Sequence, residues 1–163
     1  MIDEKKLSKR YAARKLTTND ADAIYELCRR NTLYYEYHPP FVTLESVLED
    51  MTILPPNKTL ADKYYVGFWS EEGLIAVMDV IDGYPQDGIA FIGFFMTDIS
   101  VQGKGVGSEI ISECAAYLKE CGFNKMRLGV DRGNPQSSHF WRKNRFTVDE
   151  SYVGKLIVME RGL

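Results

Sequence analysis

The stretch Val101–Cys114, VQGKGVGSEIISEC, places Gly103, Gly105 and Gly107 within five positions and runs straight into a helical pattern. Glycine is unfavourable inside a helix and adds nothing to a core. Three of them at a helix start therefore point to the backbone itself as the working part. The first-turn N–H groups of a helix have no internal partners, and the macrodipole favours an anion in front of them. Glycines let the chain turn with positive φ and let a phosphate approach without meeting a Cβ. Gln102 and Lys104 add side-chain donors, and Ser108 adds a hydroxyl. The chemistry this suits is the cradling of a pyrophosphate. A tight strand-to-helix turn is the plainer use of the same residues, but one or two glycines would serve it.

The spacing narrows the kind of cradle. A dinucleotide fingerprint needs G-x-G-x-x-G. Counted from Gly103 and Gly105 the third position is Ser108, and counted from Gly105 and Gly107 it is Ile110. A Walker A loop ends in Gly-Lys-Ser/Thr, which GKG does not supply. Those loops usually follow the first strand, whereas this one follows the fourth expected here.

The elements that must position the loop can be read from periodicity. TTNDADAIYELCRR reads as a helix, with Thr18 or Asn19 as cap and Arg29 and Arg30 at its C-terminal end. NTLYYEYHPPF cannot continue it because of Pro39 and Pro40, and TLESVLEDMT is a second short helix capped by Thr43. LSKRYAARKLT has weak strand character. KYYVGFWS and LIAVMDVID read as strands joined by a turn at Gly73. IAFIGFFMTDI is apolar at nearly every position, as a strand covered on both faces must be, and so belongs at the centre of a sheet. After the glycine loop, Val106, Ile110, Cys114, Leu118 and Cys121 recur at helical spacing, with Gly122 suited to C′ and Phe123 to a contact with Leu118. KMRLGV is a fifth strand. NPQSSHFWRKN is a helix with Asn134 as N-cap and Pro135 in its first position. FTVDESY and KLIVME can close a final hairpin. The expectation is an α/β fold: one domain over 1–163, with a mixed, mostly antiparallel sheet of about six to seven strands flanked by about four helices.

Composition sets the outer bounds. A chain of 163 residues with 45% hydrophobic and 26% charged residues has the usage of an ordinary globular domain. The net charge of -3 argues against a nucleic-acid partner, whose binding face is usually basic. Cys28, Cys114 and Cys121 cannot all pair, form no C-x-x-C, and read as free buried thiols of a reducing cytoplasm. MIDEKKLSKR lacks an apolar signal core, and no run is long enough to span a bilayer, so a cytoplasmic protein without membrane attachment is expected. His38 and His139 are far apart and suggest no metal site.

Gln102-Gly103-Lys104-Gly105-Val106-Gly107 resembles the Q/R-x-x-G-x-G/A motif of the GCN5-related N-acetyltransferases, and NPQSSHFWRKNRF, from Asn134 to Phe146, is similar to that family's second motif. The element order agrees along nearly the whole chain. The resemblance implies that the central strand splays from its neighbour and leaves backbone groups at Phe95, Met96 and Thr97 free for the pantetheine arm of acetyl-CoA. The N–H near Phe95 or Met96 then faces the thioester carbonyl. It also implies that the loop from Gln102 through Gly103, Lys104, Gly105, Val106 and Gly107 to Ser108 holds the pyrophosphate, and that Asn134 bonds the pantetheine arm. Capping alone is the other use of Asn134.

Two positions depart from the family pattern. Trp141 stands where a tyrosine general acid is common, and indole is no useful acid near neutral pH; packing against the cofactor arm or the central strand is its expected role. Arg145 replaces the glycine of the usual Gly-Phe pair, so the left-handed turn is expected at Asn144 instead. The base is open between Asp79, Glu36 and a water relay, and the thiolate proton between water and Tyr152. NTLYYEYHPPF falls where the family covers its acceptor, so Tyr34, Tyr35 and Tyr37, with His38, are expected to wall that site, or in part simply to pack under the loop. The function implied is transfer of acetyl from acetyl-CoA to a small-molecule or peptide amine by direct attack in a ternary complex, without a metal. An acyl-CoA sensor of the same fold, without turnover, is the rival. The final hairpin offers an edge that a homodimer could use.

Overall fold

The apolar run IAFIGFFMT forms a strand at the middle of a seven-stranded sheet. The computed structural model describes residues 1–163. In chain order it runs β1 (Ala12–Lys15), α1 (Ala21–Arg29), α2 (Thr32–Tyr37), α3 (Leu44–Asp50), β2 (Lys63–Ser70), β3 (Gly73–Asp82), β4 (Ile89–Thr97), α4 (Val106–Glu120), β5 (Lys125–Asp131), α5 (Pro135–Lys143), β6 (Thr147–Val148) and β7 (Leu156–Gly162). The strand order is β1-β2-β3-β4-β5-β7-β6, and every pairing is antiparallel except β4 with β5. No helix is long and apolar enough to cross a membrane.

Alternation along the strands divides the core between two faces. Val66 and Phe68 of β2, Met78 and Val80 of β3 and Ile92 of β4 pack with Ile110, Ile111, Cys114 and Leu118 of α4 and with Trp141 of α5. On the opposite face Tyr65, Val77 and Met96 pack with Ile24, Leu27 and Cys28 of α1 and Val47 of α3. β4 is covered on both sides, which is why its sequence shows no polar alternation.

The helix ends follow local chemistry. Thr43 caps α3, accepting from Ser46 N–H at 3.0 Å. Asn134 caps α5 with Pro135 next to it. Gly122, at φ 95°, closes α4, and Phe123 N–H reaches back to the Leu118 carbonyl at 3.1 Å.

The layout is the expected one, with a fifth, short helix where six residues of NTLYYEYHPPF wind into α2 before the prolines. Two details are corrected. The start of α1 is held not by Thr18 or Asn19 but by a 3-10 turn closed between Thr17 and Asp20, whose carboxylate accepts from Thr17 N–H at 2.8 Å. The left-handed residue after α5 is Arg145 itself, at φ 69°, while Asn144 stays at φ -92°. The reason is that Asn144 is occupied: its buried amide donates to the Phe140 carbonyl at 2.8 Å and to Ser108 Oγ at 3.1 Å. Arg145 therefore takes the turn, at a cost of about 1–2 kcal/mol. That cost is offset by a complete Schellman end, with Phe146 N–H on the Trp141 carbonyl, Arg145 N–H on the Arg142 carbonyl and the Phe146 ring 5.0 Å from the Trp141 ring.

Candidate active site

A gap opens between the two central strands. β4 and β5 pair only from Ile89↔Lys125 to Ile92↔Leu128, although β4 continues to Thr97 and β5 to Asp131. The parting begins at Gly93. Asp79 of β3 lies opposite Phe94 and Val80 lies opposite Ile92, which leaves Gly93 as the extra residue of a bulge. Bulges bend the strand that carries them. Only glycine fits here, because a Cβ would sit 2.7 Å from Asp79 Oδ2.

Beyond the bulge, the backbone of β4 alternates between two edges. Asp98 N–H donates to the Ile75 carbonyl of the segment beside it, at 2.8 Å. The Thr97 carbonyl turns the other way and accepts from Asn31 Nδ2 at 3.1 Å and Gln102 Nε2 at 3.0 Å. By that alternation Phe95 also directs its N–H and carbonyl into the gap, whereas Met96, opposite Val77, directs its own toward β3.

The glycine loop closes one side of the gap. Gly103 and Gly105 take φ 74° and 81°, so the chain curls and then enters α4. From Gly103 to Ser108, no backbone N–H finds an acceptor in the protein. Successive unpartnered N–H groups in a turn of this kind can form an anion-binding concavity, and this run leads directly into a helix N-terminus. Nothing lies within 4 Å of a Cβ built at Gly103 or Gly105, so the space in front of both is open.

Two cavities meet at this gap. The larger, about 340 Å³, runs between the starts of α4 and α5 and is lined by Phe95, Met96, Thr97, the loop residues Gln102, Gly103, Gly105, Val106, Gly107 and Ser108, and Trp141. The smaller, about 140 Å³, lies between β4, β5 and α2. Tyr34, Phe95, Ser137 and Trp141 line both. Trp141 packs against Phe95 of the central strand, ring centroids 5.9 Å apart, and against Phe140 at 5.0 Å.

Other residues marked in the sequence stand differently. Gln102 lines the larger cavity, but both amide hydrogens are taken, one by Asn31 Oδ1 at 2.7 Å and one by the Thr97 carbonyl; it clasps the loop to the start of α2 and to β4. Lys104 is exposed and does not line the cavity. Asn134 Oδ1 accepts from the Gln136 and Ser137 N–H groups, while its Nδ2 is buried with no partner. Tyr34 lines both cavities. Tyr35 packs edge-on against Tyr34 and Phe41, and Tyr37 is partly exposed beside Gly133. Neither lines either of these two cavities.

The three acid–base candidates are not brought to the gap. Glu36 is exposed on α2 and Tyr152 is exposed on the loop before β7. Asp79 is buried behind Gly93 and tied to Lys63 Nζ at 2.7 Å. Burial pushes its carboxyl above the ordinary range, against the opposing pull of Lys63. The sequence reading did not single out Asn31, nor the pairing of His38 with Asp131. His38 Nδ1 lies 3.0 Å from Asp131 Oδ2, across 93 residues of chain, and no spacing rule could have joined them. No group of three or more His, Cys, Asp or Glu residues is placed to hold a metal.

Against known proteins, no curated sequence matches. Solved structures do. An acetyltransferase from Thermus thermophilus superposes with a TM-score of 0.80 at 20% identity, covering 94% of this chain and 97% of that one. The PaiA N-acetyltransferase of Thermoplasma acidophilum, solved in complex with coenzyme A, gives 0.71 at 21% identity over 94% and 99%. A phosphinothricin acetyltransferase of Sinorhizobium meliloti, solved in complex with AcCoA, gives 0.65 at 19% over 94% and 89%. At these identities the likeness is one of fold. The sequence profile of the acetyltransferase (GNAT) family matches residues 21–146, which is most of the chain and includes the glycine loop, the splayed strand and α5, and the protein belongs to that family.

Proposed function

We propose that the protein transfers the acetyl group of acetyl-CoA to an amine held in the smaller cavity. The observation that carries this reading is the run of unpartnered N–H groups from Gly103 to Ser108, set beside a strand that is unpaired with β5 beyond Ile92 and turns the Phe95 backbone toward the same cavity. A diphosphate suits the first feature and an amide-bearing arm suits the second. The orphaned Nδ2 of Asn134 supports it as well: a buried donor left unmet costs about 1–3 kcal/mol, which an amide carbonyl of the arm would recover.

In this reading Phe95 N–H, turned into the gap, is the donor aimed at the thioester carbonyl as it gains negative charge. The acetyl group then lies where the two cavities join, between Tyr34, Phe95, Ser137 and Trp141. The amine attacks the carbonyl carbon directly and the C–S bond breaks. No cysteine lines either cavity, and burial pushes the Cys28 thiol up to about 12, so direct attack is the route the side chains support.

The test is release of free CoA thiol from acetyl-CoA in the presence of a graded panel of amines. Amine-dependent release is the expected outcome. Tight binding of acetyl-CoA without release for any amine would make the protein a binding module of the same fold.

A further inference from the structure

Of the residues lining the smaller cavity, only Tyr34, His38 and Asp131 can exchange a proton in water. Tyr34 is unsuited to accept one, because burial pushes its phenol above the ordinary value and keeps it protonated. His38 caps α2 and Asp131 ends β5, and the two meet at the lining of the cavity. His38 Nδ1 lies 3.0 and 3.1 Å from the two carboxylate oxygens of Asp131, and its ring lies over Tyr34, centroids 5.2 Å apart and planes inclined by 30°. A carboxylate can only accept, so Nδ1 carries the hydrogen, and in the neutral ring Nε2 is the nitrogen that holds the lone pair. The side chain of Asp131 is 18% exposed and that of His38 52%, so the pair bridges the cavity wall to solvent.

We infer that His38 and Asp131 form the proton-accepting dyad for the acceptor amine, an inference that rests on the acetyltransferase reading above. An amine is mostly protonated near neutral pH and cannot attack in that form. His38 Nε2 takes one proton from the ammonium, and Asp131 holds the ring and stabilises the imidazolium. The freed nitrogen lone pair forms the C–N bond, the C–S bond breaks, and the second nitrogen proton leaves with the thiolate as the CoA thiol. The imidazolium then returns its proton to water. The remaining lining is largely apolar, including Ile92, Phe94, Leu128 and Leu156, so the substrate class that fits is a small amine with an apolar body.

The charged and titratable groups facing His38 are Asp131 from β5, Tyr34 one turn back on α2 and Asp50 at the end of α3. The test is the pH profile of kcat and kcat/KM for His38→Asn and Asp131→Asn beside the wild type, with the best amine of the panel. The amide nitrogen of Asn stands near the place of Nδ1, so His38→Asn keeps the link to Asp131 and removes only Nε2. It should lower kcat by roughly 10²–10⁴-fold. It should also abolish the acid limb of kcat/KM that belongs to imidazole, leaving a rate that climbs with hydroxide, while acetyl-CoA affinity and melting temperature stay unchanged. Asp131→Asn should lower kcat in the same direction, because an amide can donate to Nδ1 and hold the opposite tautomer. A His38→Asn enzyme with the wild-type profile and a rate within about threefold, well short of a general base's share, overturns the dyad and leaves the acetyltransferase reading standing. Absence of thiol release by the wild type with every amine overturns that reading, and the dyad with it.

Discussion

Trp141→Ala should lower stability by about 3–5 kcal/mol, a fall in melting temperature of roughly 6–20 °C for a domain of this size. The indole is only 8% exposed and lies among Phe95, Phe140 and Phe146. Its loss opens a hole beneath the central strand at the point where the two cavities join, so turnover should fall with stability. Trp141→Phe keeps most of the ring and removes the N–H. One neutral hydrogen bond is worth roughly 0.5–1.5 kcal/mol, so kcat should stay within about tenfold of the wild type. Thermal unfolding and kcat for both variants decide the matter. A loss in Trp141→Phe above a hundredfold, with stability unchanged, would mean that the indole N–H takes part in the chemistry and that packing is the wrong account.

Lys63→Met should cost about 3–5 kcal/mol at neutral pH, the penalty for leaving a buried charge alone. Lys63 Nζ is the partner of Asp79 Oδ2 at 2.7 Å, and Asp79 Oδ1 already has none. The pH dependence follows from the direction of the shift. Burial raises the folded-state pKa of Asp79 above its ordinary value, and removing Lys63 raises it further. The ionised carboxylate therefore weighs against folding above the unfolded-state pKa, and the penalty shrinks as pH falls through the raised value and Asp79 takes up a proton. Chemical denaturation at pH 7 and near pH 4 measures it. Replacing both partners by apolar residues, Lys63→Met with Asp79→Leu, should be far less costly than Lys63→Met alone. Equal costs for the single and double variants would show that the pair is not energetically coupled.

The parts of this site that the sequence made legible are those written in backbone chemistry. Three closely spaced glycines, a strand with no polar alternation and an Asn-Pro helix start each impose a local geometry whatever the surroundings, and each is found where it was expected. The parts that were not legible depend on contacts between distant segments. α2 has only six residues, too few for a periodic signal, and is held by aromatic contacts such as Tyr34 with Phe94 at 6.0 Å and Tyr35 with Phe41 at 5.2 Å. Asp79 looked available from its strand position, and only the fold reveals that Lys63 takes it and Gly93 leaves room for it. Arg145 takes a conformation its type disfavours because the side chain of the residue before it is committed elsewhere.

The central claim is that the gap between β4 and β5, with the loop from Gly103 to Ser108, holds acetyl-CoA. The most direct measurement is the melting temperature with added ligands. At about 100 times its dissociation constant, acetyl-CoA should add roughly 2.7 kcal/mol to stability, a rise of about 5–11 °C. ADP alone should give less, and NAD little. In Gly105→Val the new Cβ meets no protein atom within 4 Å but stands in the open space before the loop, and a β-branched residue is strained at φ 81°, so both effects act against the cradle and the acetyl-CoA shift should vanish there. A large rise with NAD and none with acetyl-CoA, or an undiminished acetyl-CoA shift in Gly105→Val, would contradict the assignment of this cleft.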